Sequence, residues 1–84
     1  MKIIIAKRSG KDKVAYINAN KINSFLADVN PNNGEMETKI YFSEGKCEIE
    51  GDQTQRIFHF MLSEEDSGFL DLVNGEKKSY WNKE

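Results

Sequence analysis

Cys47 and His59 are the one cysteine and the one histidine in the sequence. A nucleophile–base pair built from them would need hydrogen-bond reach and a third group to orient the imidazole. The alternation Lys46–Glu50 turns Cys47 inward, where a thiol behaves as a small buried hydrophobe. His59 falls on the helical face opposite Ile57 and Phe60. The pair is therefore not expected to be catalytic. One Cys and one His cannot fill a tetrahedral zinc site either, and neither Cys-x-x-Cys nor His-x-x-x-His spacing occurs. Glu64, Glu65 and Asp66 are adjacent without calcium-loop spacing, so they read as a solvated charge run at a helix end. Ser9-Gly10-Lys11 resembles a fragment of a phosphate loop, but the upstream glycine and the following helix are missing. No catalytic residue, metal ligand or cofactor is expected, and the chain does not read as an enzyme.

Binding chemistry is better represented. Residues 1–29 carry six basic groups against two acidic ones, and residues 30–75 carry three against ten. Lys7, Arg8, Lys11, Lys13 and Lys21 form the basic cluster, with Lys2 at its start. Tyr16 or Tyr41 on a sheet surface could stack on a base, which gives a nucleic-acid binder using the N-terminal hairpin. Against it stand a sequence pI of about 5.4 and only two arginines. The second binding feature is the tail Lys77-Lys78-Ser79-Tyr80-Trp81-Asn82-Lys83. Tyr and Trp are enriched at interface hot spots, so Tyr80 and Trp81 are the candidate protein interface. The competing reading folds Trp81 back onto the core of a small domain.

These groups sit on a chain of 84 residues with 38% hydrophobic and 31% charged positions, and nine aromatics. That is a globular composition, at the small end of the range for a single domain spanning 1–84. Its longest apolar run, Ile3–Ala6, is far short of a membrane helix or a signal-peptide core. A lone cysteine fits a reducing compartment, so the expected location is cytoplasmic. No membrane partner is expected.

Residues 2–8 and Val14–Ile17 read as strands joined through the turn Ser9-Gly10-Lys11-Asp12. Asn18 is the residue that reverses the chain, either by bonding its own backbone two positions on or by capping one helical turn. A third strand follows at Ile22–Val29, then the loop Asn30-Pro31-Asn32-Asn33-Gly34. Thr38–Phe42 and Lys46–Glu50 alternate as a pair around Ser43-Glu44-Gly45, with Cys47 and Ile49 inward. Asp52-Gln53-Thr54-Gln55 has capping-box spacing. It opens a helix over 53–62 whose stripe is Ile57, Phe60 and Met61, widened by Phe58 and Leu62. A strand over Arg56–Leu62 is the competing assignment there. Beyond it, Phe69–Val73 and Glu76–Trp81 form a hairpin around Asn74-Gly75, or else Ser63 caps a second short helix ending at Gly75. The fold class is α+β: a small antiparallel sheet of about five strands, one packed helix, and a C-terminal hairpin or second short helix.

Over residues 2–62 this pattern resembles the small FlbD family, annotated for flagella and swarming motility. Tyr16-Ile17-Asn18-Ala19-Asn20-Lys21-Ile22 carries the likeness: Asn18 matches the family's Asn, Ile22 its Ile, and Gly45-Lys46 its turn before a strand. Ala19 stands where Pro is usual, the loop Asn30–Glu37 is longer, and nothing after Leu62 has a counterpart. Similar short chains are common among phage and mobile-element proteins. The resemblance implies a compact scaffold without catalytic residues. The expected function is a non-enzymatic protein-interaction or regulatory module of bacterial or phage origin, with a protein partner and homodimerisation by strand addition at a sheet edge or by exchange of the tail. The nucleic-acid reading ranks second.

Overall fold

A computed structural model describes residues 1–65, 67–73 and 76–78, the last three by backbone alone. Strand β1 (Lys2–Lys7) pairs antiparallel with β2 (Val14–Asn18), and a 3-10 turn at Ala19–Lys21 leads into β3 (Ser24–Val29). Strands β4 (Met36–Phe42) and β5 (Gly45–Glu50) follow, then helix α1 (Thr54–Leu62), β6 (Gly68–Asp71) and β7 (Glu76–Lys78). The single five-stranded sheet expected from the sequence is not what forms. Two sheets are present among the described residues, ordered β2-β1-β6-β7 and β3-β4-β5. β1 and β6 pair in parallel, Lys2 opposite Gly68 and Ile4 opposite Leu70. All other ladders are antiparallel.

The pairing explains the division. On one side β1 holds β2; on the other it meets β6 along its first half and β5 beyond its end. Leu72 N–H donates to the Ile5 carbonyl at 2.7 Å, and Ser9 N–H to the Glu48 carbonyl at 2.9 Å. Arg8 bridges Ile49 at the crossing. The run Ile3–Ala6 thus belongs to a central strand with two neighbours, where continuous apolar sequence is common. Its inner residues Ile4 and Ala6 join Ile17, Ile40, Ile49, Ile57, Phe60 and Leu70 in one core.

Helix α1 closes that core with Ile57 and Phe60, both buried. Phe58 and Leu62 do not widen the stripe as expected: they are 52% and 62% exposed. A helix of nine residues turns only a narrow face, Ile57 and Phe60, to a sheet already filled by isoleucines. The capping box also fails to form. Asp52 Oδ1 accepts from Thr54 N–H at 3.1 Å and from Thr54 Oγ1 at 2.6 Å, leaving Gln55 out of the cap. These bonds, the hydroxyl's first, hold the Asp52 carboxyl below its usual range. The helix start is clamped instead by Thr38 of β4. Its hydroxyl donates to the Gly51 carbonyl at 2.7 Å and accepts from Gln53 N–H at 2.8 Å.

At the other end of α1 lies Lys2, only 7% exposed. Its ammonium donates to the carbonyls of Phe60, Met61 and Ser63 at 2.9, 3.2 and 2.7 Å. It also stands 5.6 Å from the centroid of the Phe60 ring. The last carbonyls of a helix have no partner within it, and they carry the negative end of its dipole. A cation from the first strand meets both requirements.

The remaining local expectations resolve as follows. β3 begins at Ser24 rather than Ile22, because Ala19–Lys21 forms the 3-10 turn and Ile22 N–H closes it onto the Ala19 carbonyl. Asn18 Oδ1 accepts from Asn20 N–H at 3.0 Å. The loop after β3 winds on Asn30, whose carbonyl accepts from Gly34 N–H at 2.7 Å, with Gly34 in the left-handed region at φ +73°. β6 and β7 pair antiparallel, as the hairpin reading has it, while its turn Asn74-Gly75 lies outside the described residues. Among the described residues no helix is long and apolar enough to cross a membrane.

Candidate functional site

The five basic residues of the N-terminal cluster do not converge. Lys7 points to the outer side and pairs with Glu50 at 3.2 Å. Lys11 lines a groove of 590 Å³ with Ser9, Asn30, Glu37, Lys39 and Glu48. Charges of both signs meet there, and Lys39 is engaged by Asp28 at 3.7 Å. Lys13 is exposed at the end of the β1–β2 turn. Only Arg8 and Lys21 reach the same place, a second groove of 510 Å³ beside β2.

This groove is the mouth between the two sheets. β2 pairs with β1 on one side and has no strand on the other among the described residues. Arg8 N–H donates to the Lys13 carbonyl, which sets the bonded pairs of the β1–β2 ladder at Ala6–Ala15 and Ile4–Ile17. In an antiparallel ladder bonded and non-bonded positions alternate. Val14 and Tyr16 therefore direct both backbone groups outward, at the groove, and Asn18 its N–H, while the Asn18 carbonyl opens the 3-10 turn. Its floor is Ala15 and Ile17 of β2 facing Phe42 and Cys47 of the β4–β5 hairpin, all packed against the core. Its rim is Arg8, Lys21 and Lys46, with Tyr16 73% exposed beside it.

The electrostatics are one-sided: among the described residues no Asp or Glu lines the groove. Lys46 is shared with Glu48 at 3.4 Å. The Arg8 Nε is buried and has no hydrogen-bond partner among the described residues, an arrangement that leaves a strong donor unmet. Composition could not single out this group. Lys46 and Phe42 come from another strand pair, which nothing in the N-terminal cluster points to.

Cys47 and His59 stand on different elements, the thiol on the groove floor and the imidazole exposed on α1 against Phe58. Burial pushes the Cys47 thiol above its ordinary value, partly offset by the Arg8 charge. Thiolate is the reactive form. Cys47 is accordingly expected to react with a maleimide or disulfide reagent more slowly than free cysteine at neutral pH, accelerating as pH rises. A raised native value also means that its contribution to stability is present below the ordinary thiol range and lost as pH climbs through the native one. Labelling at neutral pH as fast as in the unfolded chain would refute the burial. Among the described residues no three His, Cys, Asp or Glu side chains gather as a metal site. Tyr80 and Trp81 lie outside the described residues.

Compared with protein-family models, with curated proteins and with solved structures, the chain has no match.

Proposed function

We propose that the chain is a non-enzymatic interaction module that docks a protein partner along the open side of β2. The observation that carries this reading is the seam itself. A strand whose outer backbone groups have no partner among the described residues lies beside an apolar floor and a cationic rim. Unpaired strand edges are templates for pairing, and proteins that do not use them commonly cover or disrupt them. An edge of the other sheet, β3, shows one such device: Asp28 Oδ1 accepts from Val29 N–H at 2.8 Å. β2 has no comparable side-chain bond at Val14 or Tyr16 among the described residues. The FlbD-like pattern around Asn18 agrees with a compact scaffold of this kind, and the cytoplasm is the compartment that suits a lone thiol.

The nucleic-acid reading keeps one favourable observation, the placement of Arg8, Lys21 and Lys46 near an exposed Tyr16. A capture experiment separates the two. Tagged protein and its Arg8→Gln/Lys21→Glu variant are incubated with host lysate, with and without nuclease. The expected result is a protein partner retained by the unmodified chain after nuclease and lost from the variant. Retained material that nuclease removes would transfer the function to nucleic acid, and identical capture by both proteins would remove the seam from the account.

A further inference from the structure

We infer that the seam takes an extended peptide segment that is acidic at both ends and β-branched in its middle, added as a strand to β2. The inference rests on the interaction-module reading and specifies its partner. Strand addition supplies affinity through main-chain hydrogen bonds and specificity through pockets for alternate side chains. Both are present. The outward N–H and C=O of Val14 and Tyr16 and the outward N–H of Asn18 provide the ladder, which ends there because the Asn18 carbonyl opens the 3-10 turn. The gap over Ala15, Ile17, Phe42 and Cys47 receives every second side chain of the incoming strand.

Charge fixes the ends. Arg8 follows β1 at the Val14 end of the seam, since Lys7 stands opposite Val14. Lys21 follows the Asn18 end, as the last residue of the 3-10 turn. β2 is five residues long, so a segment matching it spans roughly 17 Å at ~3.3 Å per residue, and acidic residues just outside that span meet the two cations. At the first end a carboxylate would pair with the Arg8 guanidinium, which lines the groove. The cationic rim also argues against a second copy of this chain. Two β2 edges paired antiparallel would bring the rim of one copy against the rim of the other, and like charges placed across strands repel.

The test uses the blocked heptapeptide acetyl-Glu-Glu-Val-Thr-Val-Glu-Glu-amide, its counterpart with Lys in place of Glu, and a single-stranded oligothymidylate. Amide shifts of the labelled protein are followed, together with the rate of Cys47 alkylation. The acidic peptide is expected to shift Val14–Asn18 and Cys47 saturably and to slow alkylation; the Lys peptide is expected to do neither. Lys21→Glu should weaken binding about tenfold. Tyr16→Pro, which removes an outward donor without touching the β1 ladder, should abolish it. If Tyr16→Pro disturbs the fold, Lys21→Glu on the exposed turn decides. Absence of shifts at β2 with millimolar acidic peptide, or equal binding of the Lys peptide, overturns the inference. Tighter oligothymidylate binding at the same residues also overturns it, and carries the proposed function with it. A lysate partner held elsewhere on the chain would end the inference alone.

Discussion

Lys2→Met is expected to destabilise the fold by about 3 kcal/mol, the larger of the two strongest effects. The ammonium makes three hydrogen bonds to carbonyls at the end of α1. Bonds to a charged group are worth about 1.5–3 kcal/mol each, but three on one nitrogen share a single desolvation and do not add. Methionine keeps the length and the packing on Phe60 while leaving those carbonyls short of a donor. For a domain of this size, 1 kcal/mol corresponds to about 4–8 °C in melting temperature, so a fall of about 12–24 °C should be seen by circular dichroism. Lys7→Met is the internal control. Its ion pair with Glu50 is 40% and 51% exposed at the two side chains, and such pairs contribute about 0–1 kcal/mol. Equal losses from the two variants would show that the Lys2 contacts are not stabilising.

Thr38→Val is expected to cost about 2–3 kcal/mol. The two side chains have nearly the same shape, so no cavity forms, and the loss reports the hydroxyl alone. Thr38 is fully buried, and its Oγ1 serves Gly51 and Gln53 at once. The valine leaves a carbonyl and an N–H without that partner, each at about 1–1.5 kcal/mol. Urea unfolding with an unchanged slope would place the loss in the native state. A Thr38→Ser variant, which keeps the hydroxyl and drops a methyl, should lose less than Thr38→Val. The reverse order would show that packing, not hydrogen bonding, holds the corner between β4 and α1.

The local elements were legible in the sequence because their causes are local. Alternation across Thr38–Phe42 and Lys46–Glu50 marks β4 and β5, and the change of period after Asp52 marks α1. The division into two sheets was not legible. It depends on β1 choosing β6 and β5 as neighbours, and no pattern within Lys2–Lys7 encodes which strand lies alongside. Lys2 did carry a signal, since it shares parity with Ile4 and Ala6 and so points inward with them. A charged residue at a strand end reads as a solvated flank unless something waits for it, and the helix end that waits is encoded far away. The basic cluster misled for the same reason. Successive strand residues alternate sides, so Lys7 and Arg8 were bound to separate. Only Arg8 then met Lys21 and Lys46 across the seam.

The contact between Lys2 and the end of α1 has a consequence for how the molecule is made. Lys2 and its acceptor Ser63 are 61 positions apart, and β6, the parallel neighbour of β1, emerges later still. At translation rates of about 5–20 residues per second, β1 waits roughly 3–12 s for these partners. During that interval it can form the hairpin with β2 and the crossing of Arg8 with β5, while the Lys2–Ile5 stretch that β6 will take stays open to any strand nearby. The nascent chain is thus most exposed to mispairing along β1. Folding of the core has to await the emergence of β6, as expected where long-range parallel pairing closes the fold.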